Sequence, residues 1–110
     1  MSDNKDFFKR VYKIVEEIPH GKVTTYGAIA KAIGAPKSAR TVGYAMNSCV
    51  KMENDLPAHR VVNRNGVLTG KHHFPGTDTM QKLLEAEGAI IENDKIKNLK
   101  NILWEPIVNQ

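Results

Sequence analysis

Residues 25–46 read TYGAIAKAIGAPKSARTVGYAM, and this stretch decides the fold. Thr25 stands where a helix needs an N-cap, because its hydroxyl can accept from an unpaired N–H of the first turn. Ile29 and Ile33 lie four apart on one face, and Gly34 follows as a stop signal. Ala35-Pro36-Lys37 makes a tight turn. Ser38 then caps the next helix, in which Val42 and Met46 face inward. Two short helices joined by a turn of this length form the helix-turn-helix pattern. Arg40 and several small residues are left on the outer face of the second helix.

Upstream, Phe7, Val11, Ile14, Val15 and Ile18 form the apolar stripe of an opening helix that Pro19 and Gly21 end. Val23-Thr24 leads from it into the helix at Thr25. Downstream, residues 47–57 read as an irregular loop. Val61-Val62-Asn63 and Val67-Leu68 flank Arg64-Asn65-Gly66, and Asn-Gly between apolar runs predicts a β-hairpin. Thr77 or Asp78 caps a further helix, with Met80, Leu83 and Leu84 inward and Gly88 as its stop. Ile90-Ile91 is a short extended piece, and Leu99 to Trp104 a last helical turn. The expected fold is mainly α with a small β-hairpin, a winged helix-turn-helix, with residues 1–110 as a single domain.

Sixteen Lys and Arg against twelve Asp and Glu give a net charge of +4. From Lys31 to Lys71 seven cations face only Glu53 and Asp55, so that stretch carries +5 and the remainder −1. A basic middle on a near-neutral body is the footprint of a polyanion site. One cysteine, Cys49, excludes an internal disulfide framework. The opening Met1-Ser2-Asp3-Asn4-Lys5-Asp6 has no apolar stretch of signal type, and no segment approaches the ~20 apolar residues of a membrane span. A cytoplasmic, monomeric protein is expected, with no membrane partner.

Pro57-Ala58-His59-Arg60-Val61-Val62 resembles the active-site motif of the O6-alkylguanine-DNA alkyltransferases, Pro-Cys-His-Arg-Val, with alanine in the cysteine position. Three other segments resemble the same family in order: residues 21–27, residues 39–46 and residues 83–88. Within that superfamily the chain is similar to the alkyltransferase-like proteins. The resemblance implies binding of O6-alkylguanine in duplex DNA by nucleotide flipping, without alkyl transfer. It also implies hand-off to nucleotide excision repair proteins.

Alkyl transfer from guanine O6 is a displacement at carbon and needs a soft thiolate. Ala58 carries a methyl group and no lone pair, so no enzymatic activity is expected. The resemblance pairs His59 with Glu87 as the remnant of a thiol-activating relay; with no thiol they read as scaffold, with Arg60 as a second structural partner. It assigns Arg40 as the intercalating arginine and Tyr26 as the group that helps rotate the target phosphate. The resemblance also implies that the second helix of the pair presses into the minor groove, and Ser38, Ala39, Thr41 and Gly43 are small enough for that close approach. Tyr44, next to Gly43, is expected to point away from that groove. Met46, Pro57, Ala58, His59 and Val61, with Tyr26, should wall a lesion pocket closed by Leu68, Thr69, Gly70 and Lys71. Backbone groups near Ala58 and Val61 would bond the guanine edge, and the Lys71 cation would sit over the flipped base. His72 and His73 lack further ligands at metal spacing, so neither metal nor cofactor is expected.

Two other readings stay open at this level. Cys49 could serve as the alkyl acceptor of a working methyltransferase, although it has no histidine after it. The chain could also be a winged-helix transcription regulator with sequence-specific readout.

Overall fold

The computed structural model describes residues 4–52 and 54–106. The ends of the expected 1–110 unit, residues 1–3 of the signal-peptide reading and Glu53 of the charge count lie outside these. Helix α1 spans Asn4–Glu16 and buries Val11 and Val15, with Ile18 buried just beyond its end. Helices α2, Tyr26–Ala32, and α3, Ala39–Lys51, complete the helix-turn-helix. Thr25 caps α2 as expected, its hydroxyl accepting from the Ala28 N–H at 3.0 Å. Ser38 holds the N-cap position of α3 but makes no side-chain cap bond. The Tyr12 hydroxyl donates to the Ala45 carbonyl at 2.8 Å and pins α1 against α3.

Residues 47–51, read as loop, are the last turns of α3. Cys49 extends the stripe of Val42, Ala45 and Met46 by one step of three, and all four are buried. Burial of a fourth stripe residue holds the helix together past the point where polar Asn47 and Ser48 made the sequence look irregular.

The expected hairpin across Arg64-Asn65-Gly66 is also corrected. A tight turn does form: the Gly66 N–H donates to the Asn63 carbonyl at 2.9 Å, and the Asn63 side chain accepts from the Asn65 and Val67 N–H groups. Beyond one bond across the turn, from the Asn63 N–H to the Val67 carbonyl at 3.3 Å, its two flanks pair elsewhere. Strand β2, Val61–Val62, lies parallel to β1, Thr24–Thr25, in register Thr24↔Val61 and Thr25↔Val62. Val61 and Val62 are both buried, which suits a strand covered on both faces rather than one arm of an exposed hairpin. The two-residue hairpin is formed by β3, Ile91–Glu92, and β4, Lys95–Ile96. Its central Asn93 and Asp94 have φ 52° and 62°, the left-handed pair that a hairpin turn matching strand twist requires.

Helix α4, Thr79–Ala86, starts at Asp78, and α5 spans Leu99–Ile102. Met80 and Leu84 are buried, but Leu83, expected inward, is 41% exposed. Helix α4 is short and offers only one i,i+4 face to the core. Two apolar clusters result. One gathers α1, α2, α3 and Ala58; the other gathers Val23, Val62, Leu68, α4 and Ile96. The β1–β2 pair joins them and fixes the segment before β2 beside α3. Among the described residues no helix is long and apolar enough to cross a membrane.

Candidate nucleic-acid interface

An open groove of about 790 Å³ runs along α3. One wall is Ala39, Arg40, Gly43, Tyr44 and Asn47; the other holds Tyr26, Asn63, Thr69 and His73. The α3 positions fall at intervals of four, so they share one helix face. A Cβ added to Gly43 would meet no protein atom within 4 Å. Intramolecular packing therefore does not demand glycine there, and the low profile is available to something outside the protein. Arg40 is exposed, while Ser38 and Thr41 are half-buried. Tyr26 opens α2, and its hydroxyl lies 3.4 Å from the Thr69 hydroxyl. A Cβ on Gly70 would come within 3.3 Å of that same Tyr26 oxygen, so Gly70 leaves the phenol its place.

Tyr44 is a correction. It is 56% exposed and lines the groove one turn beyond Arg40, rather than pointing away. The spacing of four from Arg40 to Tyr44, and from Gly43 to Asn47, was the signal that could have found both.

A second cleft, of about 150 Å³, lies where α3 ends. Ala58 and His59 line it together with Cys49, Asn54, Leu56, Phe74 and Leu83. Helix α3 and the 69–75 segment wall both hollows: Asn47, Thr69 and His73 face the groove, whereas Cys49, Phe74 and Pro75 face the cleft. Ala58–Arg60 is a single 3₁₀ turn entered from Pro57. The Ala58 N–H donates to the Leu56 carbonyl at 2.8 Å, and the Val61 N–H donates to the Ala58 carbonyl. These two N–H groups are spent on closing the turn. Met46, Val61 and Leu68, expected as pocket wall, are 4%, 2% and 2% exposed and belong to the two apolar clusters.

His59, Arg60 and Glu87 form one network. His59 Nε2 lies 2.9 Å from Glu87 Oε2. The Arg60 guanidinium grips both carboxylate oxygens, Nε to Oε1 at 2.9 Å and Nη2 to Oε2 at 2.8 Å. Its Nη1 donates to the Ile18 carbonyl, and the Gly21 N–H reaches Glu87 Oε1 at 3.4 Å. The network ties the 3₁₀ turn to the end of α4 and to the α1–β1 connection. Burial pushes the Glu87 carboxyl up, but hydrogen bonds from Arg60, His59 and the Gly21 N–H, with the charge of His59, outweigh it and hold the pKa at about 2.

Lys71 is not an open cation. Its Nζ lies 2.6 Å from Asp94 Oδ2, in the turn of the β3–β4 hairpin. The Leu68 N–H also donates to the Asp94 carbonyl, so the hairpin tip braces the loop. Cys49 is buried, with Sγ 3.8 Å from Asn54 Oδ1. Burial raises the thiol pKa, and the Asn54 contact offsets only part of this. The same Asn54 donates to the carbonyls of Cys49 and Met52 and accepts from the Leu56 N–H, knotting the turn after α3. Asn54 and Asp94 escaped the sequence reading, although Asn at a helix exit and Asn-Asp between short apolar runs are both turn signals.

The profile of the 6-O-methylguanine DNA methyltransferase DNA-binding domain matches residues 6–89. Alkyltransferase-like protein 1 of Schizosaccharomyces pombe is 38% identical over 105 residues, covering 92% of this chain and 96% of that protein. The DNA base-flipping protein of Escherichia coli is 39% identical over 106 residues, covering 94% of this chain and 78% of its own. The crystal structure of the S. pombe protein in complex with damaged DNA containing O6-carboxymethylguanine superposes with a TM-score of 0.81 at 38% identity, over 96% of this chain and 100% of that one. The chain therefore belongs to the family of the 6-O-methylguanine DNA methyltransferase DNA-binding domain, alongside the alkyltransferase-like and DNA base-flipping proteins.

Proposed function

We propose that the chain binds O6-alkylguanine in duplex DNA, turns the damaged nucleotide out of the stack, and leaves the alkyl group in place. The observation that carries this reading is the pairing of an open groove along α3 with a neighbouring cleft whose Ala58 offers only a methyl group. Support comes from the family and from the S. pombe relative bound to damaged DNA. In this reading α3 enters the minor groove, Arg40 fills the gap in the stack, and Tyr26 turns the phosphate. The O6 substituent reaches the cleft of Ala58 and His59. His59 and Glu87 hold the turn and move no proton. Lys71 reaches the flipped base only if it leaves Asp94. A marker without chemistry needs an enzyme downstream, and nucleotide excision repair proteins are the proposed recipients.

A second reading rests on one specific observation: Cys49 lines the same cleft as Ala58. Its burial and raised pKa keep it a thiol, a poor nucleophile. A competition gel shift with O6-methylguanine and unmodified duplexes, followed by mass spectrometry of the protein, separates the readings. Preferential binding with unchanged protein mass is expected. Equal affinity for the two duplexes removes the lesion claim, and a methyl adduct on Cys49 makes the chain an acceptor enzyme.

A further inference from the structure

Five large apolar side chains among the described residues are conspicuously exposed: Tyr44, Met52, Leu83, Ile90 and Leu103. Of these, Tyr44 lies in the α3 groove. An aromatic ring that is 56% exposed adds nothing to the core, and its neighbours in the groove are Arg40 one turn before and Gly43 beside it. Residues at i and i+4 on a helix stand roughly 6 Å apart. Consecutive nucleotides of one strand are spaced roughly 3.4 Å along the duplex. A group that stacks at Arg40 therefore places Tyr44 about two nucleotides away, on undamaged duplex.

We propose that Tyr44 is a second DNA contact, independent of the lesion, whose ring packs on the sugar wall of the minor groove and whose hydroxyl donates to a backbone phosphate oxygen. The partner is ordinary duplex DNA flanking the damaged nucleotide. Tyr suits this role because it brings a flat apolar face and a polar tip at low conformational cost. Contacts to sugar and phosphate carry no sequence information, so they hold α3 in register while leaving the search tolerant of any sequence. Tyr44 carries no charge, so it adds grip without adding to the salt dependence that each Lys or Arg contact brings.

The inference rests on the DNA-binding reading above, and its test is arranged to keep the two apart. Binding of the wild-type chain, Tyr44→Phe and Tyr44→Ala is measured on an unmodified duplex and on the same duplex with one O6-methylguanine, at several salt concentrations. Thermal unfolding of each variant should match the wild type, since the side chain is exposed. Tyr44→Ala should raise Kd on both duplexes by the same factor, about tenfold, and Tyr44→Phe by about threefold. The salt slope should not change. If the wild type binds neither duplex, the DNA reading fails. If the wild type binds but Tyr44→Ala is unaltered, only this inference fails. A loss confined to the modified duplex also overturns it, because Tyr44 would then be reading the lesion.

Discussion

Glu87 takes hydrogen bonds from His59 and from both ends of the Arg60 fork. Its carboxyl is held at about 2 in the folded chain, against an ordinary 4.5. A depressed folded-state pKa stabilises the fold fully above about pH 4.5, and that contribution drains away as pH falls toward 2. Glu87→Gln should therefore lower stability at pH 7 by about 2 kcal/mol, since it leaves the Arg60 guanidinium without its counter-charge. The same variant should lose the step in stability between pH 4.5 and 2, which urea unfolding at a series of pH values would register. If the variant kept that acid limb, other carboxylates would be responsible. The partnership of His59 with Glu87 was legible through the resemblance. The bidentate grip of Arg60 was not, because a sequence does not reveal that the turn folds two successive side chains onto one carboxylate.

At the scale of elements, two local turn and cap signals were read correctly, while the Ser38 cap bond, the last turns of α3 and the long-range strand pairing were not. Thr25 caps α2, and Asn63 to Gly66 turns sharply, because both depend on chemistry within three or four residues. Which strand accepts Val61 and Val62 depends on β1, some 37 positions earlier, and alternation patterns carry no such information. The consequence is that Gly66 serves a junction instead of a hairpin tip. Its φ is +79°, and a Cβ there would lie 3.3 Å from Leu99 Cδ2 and 3.4 Å from the Ile96 carbonyl oxygen. The Ile96 N–H also donates to the Gly66 carbonyl at 3.0 Å. Gly66→Ala should thus strain the backbone and push β4 away, costing about 2 kcal/mol in thermal or urea unfolding. The loop that carries Thr69, Gly70 and Lys71 hangs from this junction, so binding to unmodified duplex should weaken in the same variant. A glycine that mattered only for an isolated turn would cost stability and leave binding untouched.

Across the whole molecule, the basic segment read from the sequence is smaller in effect than its charge. Seven cations lie between Lys31 and Lys71, but Arg60 is folded into the Glu87 network and Lys71 is paired with Asp94. The other five, Lys31, Lys37, Arg40, Lys51 and Arg64, are exposed. Counting residues could not make this distinction, because both internal partners lie outside the segment, at positions 87 and 94. Each cation that neutralises a phosphate contributes a slope of about −0.9 to log K against log salt, so five set a limit of roughly −4.5 for this segment. Of these five only Arg40 lines the groove, so the measured slope should be shallower than that limit. Arg40→Ala should reduce its magnitude by about one if the guanidinium meets phosphate, and leave it nearly unchanged if it stacks in the duplex as proposed. The ratio of affinities for O6-methylguanine and unmodified duplexes should barely move with salt, because His59 in the cleft is already paired with Glu87 and the other residues that line it, among them Leu56, Ala58 and Phe74, carry no charge. Fluorescence anisotropy on both duplexes between roughly 50 and 200 mM salt measures all three quantities at once. A slope steeper than the limit would place cations from outside the segment on the DNA, and a ratio that collapses with salt would mean that charge, not the cleft, distinguishes the damaged base.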